Sequence, residues 1–238
     1  MDLDNKVVLI TGGSSGIGKA AASKLLECGA NVVICGRNVE RLESVILELK
    51  PSPERFHAVQ ADITKRDEVD ALIASSLRKF SHIDVLVNSA GRGYLGSFLE
   101  TSDDLINSLM EVNVQGAMRV TRAVLPSMME QKSGLIINMC GILGVKTIAN
   151  AAVYCATKHA LLGFGNALAQ EVRRSSIRVT NLCCSGVDTP FWDTIPGKPR
   201  PEMLLTADDV ANEIVHIVGA PPHTIKNQVL LQHTAHQL

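Results

Sequence analysis

The stretch KVVLITGGSSGIGKAAASKLLECGANVVICGRN, residues 6–38, holds two short apolar runs with a glycine-rich turn and an amphipathic segment between them. Residues 6–11 and 31–36 are continuous apolar runs, not polar–apolar alternations. That is the pattern of strands buried on both faces, as in a parallel sheet. Residues 17–28 read as a helix between them. A strand, a helix and a second buried strand make a right-handed βαβ unit.

The rest of the chain repeats the pattern. FHAVQAD (56–62), IDVLVNSAG (83–91), GLIINMC (134–140), IRVTNLCC (177–184) and NQVLLQ (227–232) bring the expected strands to seven. Helices are expected at 39–49, 66–79, 102–131, 153–174 and 206–219, the last favoured by Asp208 and Asp209 near its positive end. This alternation predicts an α/β fold, a Rossmann-type doubly wound parallel sheet flanked by helices. No linker, repeat or compositional break divides it, so residues 1–238 are expected to form a single domain. One long irregular stretch, VDTPFWDTIPGKPRPEMLL (187–205), carries four prolines and the only tryptophan. A loop of that length in a compact domain is usually functional, here a substrate loop.

Composition narrows the partners. Of 238 residues, 46% are hydrophobic and 20% charged, and the formal net charge is −1. A near-neutral chain gives no reason to expect nucleic acid or an acidic membrane surface. No apolar run approaches 18 residues, so no membrane span is expected. The opening MDLDNKVVLITGG is acidic and enters a strand at once, unlike a signal peptide. The six cysteines (Cys28, Cys35, Cys140, Cys155, Cys183, Cys184) lack metal-site spacing and read as small buried hydrophobes of a reducing cytoplasm. No metal is expected.

TGGSSGIG, residues 11–18, follows the first strand and opens the first helix. Glycines there let the backbone approach a phosphate, and the free N–H groups of the helix end point at it. The end of the second strand should then meet the adenosine ribose. A carboxylate there would hold the free 2′-OH of NAD. Here Gly36 takes that place and Arg37 follows, able to pair with a 2′-phosphate. NADP(H) is therefore favoured over NAD(H). Further on, VYCATKHALLG (153–163) sets Tyr154 and Lys158 four residues apart, on one helix face. A free tyrosine has a pKa near ~10. A lysine cation within a few ångströms lowers it towards neutral pH.

TGGSSGIG, NSAG (88–91), Asn113 in EVNVQG and YCATK, in this order and spacing, resemble the short-chain dehydrogenase/reductase family over essentially the whole chain. The resemblance implies a nicotinamide cofactor, an oxidoreductase activity and a tetrad of Asn, Ser, Tyr and Lys. It makes Tyr154 the general acid/base and has Lys158 hold the nicotinamide ribose and lower the tyrosine pKa. It makes Asn113 a support for a water chain to the lysine. Gly12, Ser14, Ser15, Gly16, Ile17 and Gly18 would cradle the pyrophosphate, and Asp62 and Ile63 would meet the adenine. Asn88, Ala90 and Gly91 would flank the cofactor, and Val187 and Thr189 would meet the carboxamide and phosphate. The resemblance also implies a homotetramer or homodimer, built on helices 102–131 and 153–174. Leu105, Leu109, Phe164 and Leu168 would serve that interface or face the sheet.

Two positions depart from the family. Thirteen residues before Tyr154, where its serine stands, this chain has Gly141. The adjacent Cys140 should point away from the pocket, because successive strand residues face opposite sides. After the sixth strand, where the family has Pro-Gly, the chain has Cys184 and Ser185. Losing one donor to a developing oxyanion commonly costs roughly 10²–10³ in rate. Water, Thr147 or Ser185 could stand in, and a serine restored at 141 is expected to raise the rate. Tyr94, Leu95, Phe98, Leu143, Val145, Phe191, Trp192 and Met203 should rim an apolar pocket, unless they are ordinary core. Three readings stay open. One is a carbonyl–alcohol oxidoreductase acting on an apolar small molecule. Another is an NADP(H)-binding sensor or scaffold subunit with little catalysis. The last is an enzyme using the site for other chemistry.

Overall fold

The computed structural model describes residues 3–195 and 198–235. The first two residues of the N-terminal segment and positions 196–197 of the long loop lie outside them.

The opening stretch folds as β1 (Val7–Thr11), α1 (Gly16–Glu27) and β2 (Asn31–Gly36). α2 (Val39–Leu49) and β3 (Phe56–Gln60) complete the first half-sheet, and α3 (Arg66–Phe80) leads to β4 (Val85–Asn88). α4 (Asp103–Met110) and α5 (Ala117–Gln131) precede β5 (Gly134–Met139), and α6 (Ala152–Val172) precedes β6 (Ile177–Cys184). The long loop holds β7 (Val187–Asp188) and β8 (Leu205–Thr206), which pair with each other. α7 (Ala207–Val218) and β9 (Gln228–Leu231) end the order. Thr206 and Asp209 close a reciprocal capping box at the start of α7.

Seven strands form one sheet in the order β3-β2-β1-β4-β5-β6-β9, every pair parallel. Alternate residues of each strand feed opposite faces. Val8 and Ile10 pack with Leu25, Val210 and Ile214 on one side, while Leu9 packs with Leu72, Val120 and Met128 on the other. Both faces are covered by helices, which is why the strands read as unbroken apolar runs. One polar row interrupts them. Asn88, Asn138 and Asn181 are register neighbours, linked side chain to side chain at 3.0 and 3.1 Å, and Asn181 continues to Asn166 at 2.9 Å. The strand order reverses between β1 and β4, and the crevice at their carboxyl ends is where such sheets bind ligands.

The expected helix over 102–131 is interrupted. Glu111–Gly116 widens into a π-helical turn between α4 and α5. There the Asn113 side chain leaves the helix surface to bond the backbone of Arg92, accepting from its N–H at 2.7 Å and donating to its carbonyl at 2.8 Å. Such wide turns recur at functional sites. The fourth strand is also shorter than the apolar run, because Ser89 and Ala90 turn across to Thr11. Both backbone N–H groups donate to the Thr11 hydroxyl at 3.1 Å.

Candidate active site

One cavity of about 710 Å³ runs along the carboxyl ends of the strands. Midway along it lie Gly12, Ser14, Ser15, Gly16, Ile17 and Gly18. The glycines are required by close approach. A Cβ on Gly12 would lie 2.8 Å from the Ala90 Cα, and one on Gly18 would lie 2.4 Å from the Gly12 carbonyl oxygen. The Ser15 side chain does not cap α1, so the first-turn N–H groups are left facing the cavity. A backbone cradle at a helix N-terminus fits the phosphates of a dinucleotide. Thr189 closes over it from the long loop, 3.2 Å from the Cβ position of Gly16.

Beyond the cradle the wall is made by Gly36, Arg37, Asp62 and Ile63. Gly36 brings no side chain here, and a Cβ at that position would press on the Ser14 hydroxyl at 2.9 Å. Arg41, in the first turn of α2, lines the same end. The sequence reading missed it. The signal was available, because Asn38 caps α2 through the Arg41 N–H at 2.7 Å and so fixes that turn beside Arg37. Burial opposes ionisation of Asp62, yet hydrogen bonds from Thr64 and the nearby Arg37 and Lys65 hold its carboxyl below the usual value.

At the far end lie Tyr154 and Lys158, together with Ala90, Gly91 and Val187. α6 presents the pair on one face, the ammonium 5.7 Å from the tyrosine ring centroid. The Lys158 Nζ donates to the Met139 carbonyl at 2.7 Å, and the residue is buried, 7% exposed. Burial pushes the lysine below its ordinary value, and burial, with the Cys184 and Cys155 thiols, pushes the Tyr154 phenol up. Lys158 is engaged at the Met139 carbonyl, and desolvation is the largest influence on the phenol.

Asn113 stands behind this end rather than in its wall. Its Oδ1 is 3.3 Å, and the Lys158 Nζ 3.8 Å, from the Cβ position of Gly91, and its amide also donates to the Thr157 hydroxyl at 3.1 Å. It anchors the π-turn to α6 and to Arg92. Asn88 likewise lies under the loop in the asparagine row, 3% exposed, bonded to Thr121 and Asn138.

The substrate end is apolar. Leu95, Leu143, Phe191 and Trp192 line it as expected, joined by Ile142 and Ile148. Phe191 stacks toward Tyr154 with centroids 5.9 Å apart and meets Trp192 edge-on at 5.7 Å. Tyr94, Val145, Thr147 and Met203 do not line the wall among the described residues, and Phe98 is 62% exposed. Cys140 is fully buried and turned from the cavity, its thiol toward Asn181. Cys184 and Ser185 do line it, and burial pushes the Cys184 thiol up to about 11. Gly141 faces the cavity, but it lies beyond the end of β5 at φ 65° and ψ 166°. Only glycine adopts that conformation freely.

No described helix is long and apolar enough to cross a membrane, and no cluster of potential metal ligands occurs among the described residues. Leu109 and Leu168, weighed as interface residues, are buried within the chain.

Known proteins share this arrangement. A family model described as short chain dehydrogenase matches residues 6–199. An uncharacterized oxidoreductase of Staphylococcus epidermidis is 34% identical over 227 residues, covering 95% of this chain and 96% of the relative. An alcohol dehydrogenase from the archaeon Thermococcus sibiricus, solved with 5-hydroxy-NADP, superposes with a TM-score of 0.90 at 28% identity, covering 98% of each chain. A 3-ketoacyl-(acyl-carrier-protein) reductase from Brucella melitensis, solved with NADH, gives a TM-score of 0.91 at 30% identity, covering 98% of this chain and 99% of that one.

Proposed function

The chain belongs to the short-chain dehydrogenase/reductase family, and on that premise we propose that it is an NADP(H)-dependent oxidoreductase interconverting a carbonyl and an alcohol on an apolar small molecule. The observation that carries the reading is convergence along one cavity. A pair of arginines, a glycine cradle and a Tyr–Lys pair line it in the order of a dinucleotide's adenosine, its pyrophosphate and its reacting end.

The residues fit that cofactor. The cradle of Gly12, Gly16 and Gly18 would hold the pyrophosphate. Arg37 and Arg41 would pair with a 2′-phosphate, and Gly36 puts no carboxylate beside it to repel that phosphate. Lys158 and the turn of Ala90 and Gly91 would hold the nicotinamide ribose. A nicotinamide cofactor, when bound, supplies or takes the hydride.

The chain itself handles the proton and the substrate. Leu143, Phe191 and Trp192 exclude water and seat the apolar part of the ketone. The protonated Tyr154 phenol is the hydrogen-bond donor for the carbonyl oxygen. Lys158 is the cation that would stabilise the phenolate left after proton transfer.

A screen of aliphatic and aromatic ketones, following NADPH consumption with NADH in parallel, tests the reading. Turnover is expected with NADPH first. Gly141 favours a second reading, a cofactor-binding protein without turnover. Tight NADPH binding with no ketone consumed would establish that one instead.

A further inference from the structure

Arg92 lines the cavity and is exposed to solvent. Its chain neighbours fix its place. The Cβ position of Gly91 lies 3.8 Å from the Lys158 Nζ, and that of Gly93 presses against the Phe191 ring. The residue therefore stands between the reacting end and the apolar wall, at the rim. It is also held in place. Asn113 bonds its N–H and its carbonyl, and its guanidinium donates to the Ser108 hydroxyl at 2.8 Å. That is its one side-chain hydrogen bond among the described residues, and none of their carboxylates pairs with it. Arg37 and Arg41 stand at the adenosine end, and Lys158 is engaged at Met139. Arg92 is thus the uncompensated cation of the substrate end. We propose that Arg92 is a specificity residue that captures a carboxylate on the substrate, so that the preferred substrates are oxo acids, with a ketone and a carboxylate joined by an apolar chain.

A guanidinium presents five N–H donors in a planar fork that matches a carboxylate. The Ser108 hydroxyl takes one of them and neutralises no charge. Two backbone bonds and one side-chain bond already order the residue, so less freedom is lost when an anion arrives. Asp193, on the long loop, lines the same cavity without pairing with Arg92 among the described ion pairs. One cation with an acid in the same wall suits a monoanion better than a doubly charged phosphate. The rim also suits a carboxylate because water reaches it, so the charge is not stripped of its hydration. The ketone then lies beside Tyr154 and the apolar chain against Phe191 and Leu143, with the carboxylate at Arg92. The product is a hydroxy acid. Its hydride comes from the reduced nicotinamide and its proton from Tyr154.

The assignment rests on the oxidoreductase reading and deepens it, and the test separates the two. Methyl ketones ending in a carboxylate, in a series of increasing chain length, are compared with their methyl esters as substrates of the wild-type protein with NADPH. At the best length the acid is expected to exceed its ester about five- to tenfold in kcat/KM, through KM, the scale of one charge-assisted pair at a wet rim. Added salt should shrink that ratio, because the pair is screened. In Arg92→Gln the ratio should fall to about one. A second readout avoids turnover. With NADP⁺ bound no ketone can be reduced, and Trp192, the only tryptophan, lines the same cavity. Its fluorescence should report the acid binding more tightly than the ester in the wild type and equally in Arg92→Gln. Acids no better than esters at every length, or a preference that survives Arg92→Gln, overturns the carboxylate site and leaves the oxidoreductase reading standing. If no ketone is consumed at all, that reading fails, and the fluorescence titration still decides whether Arg92 binds the carboxylate.

Discussion

Replacing Gly141 by alanine probes the position where the family's serine is missing. The structure sets the two contributions apart. Sterically the change is free, because the new methyl would have only the Cys184 carbonyl oxygen near it, at 3.9 Å. Conformationally it is not, since φ 65° with ψ 166° is a region essentially confined to glycine. Holding another residue there costs about 1–3 kcal/mol. In a chain of this size each kcal/mol moves Tm by about 2–4 °C, so a drop of roughly 2–12 °C is expected. Gly163→Ala is the matched control. That glycine lies inside α6 with nothing within 4 Å of its Cβ position and no positive φ. Alanine there should stabilise by about 0.5–1 kcal/mol. Both variants are read by thermal unfolding monitored by circular dichroism at one protein concentration. If Gly141→Ala melts within a degree of the wild type while Gly163→Ala rises, the backbone at 141 is not glycine-dependent, and the reasoning fails. The same strain accompanies Gly141→Ser. A restored hydroxyl would also project from an altered backbone, so the simple gain in rate expected from the sequence no longer follows.

Three further outcomes are expected. Arg37→Ala should weaken NADPH binding by roughly 10–100-fold in fluorescence titration while leaving NADH nearly unchanged, as suits loss of a charge-assisted bond to phosphate; an equal loss for both cofactors would remove Arg37 from the 2′-phosphate site. Tyr154→Phe should lower turnover of an established ketone by about 10²–10⁴-fold with little change in melting temperature, and activity surviving within a few-fold would mean another proton donor. In the unliganded protein the Tyr154 phenol should ionise above the ordinary tyrosine range, because burial raises it. Folding thus favours its protonated form, and stability falls as pH rises past ~10, the value of the unfolded tyrosine. Phenolate absorbance in the wild type minus that of Tyr154→Phe reads this directly, and a difference titrating below pH 10 would contradict it.

Much of the protein was legible in the chain. Seven apolar runs at helix-length intervals specify a parallel sheet, because a strand covered on both faces has no polar side to show. The glycines of residues 11–18, the arginine at 37 and the i,i+4 pair at 154 and 158 are local patterns. They are recognisable from residue type and spacing alone, before any packing is known. What the sequence could not supply are relations between segments distant along the chain. The π-helical turn at Asn113 exists because that side chain reaches the backbone of Arg92, twenty-one residues away. Whether Lys158 acidifies Tyr154 depends on how deeply both are buried and on the Met139 carbonyl that already holds the ammonium. The spacing of two letters carries neither quantity. Gly141 shows the division most sharply. Its identity and its distance from Tyr154 are written in the sequence. Its positive φ and its open view of the Cys184 carbonyl come from the junction of β5 with the end of β6, because desolvation, electrostatic field and free space belong to the packed assembly of segments and not to any one of them.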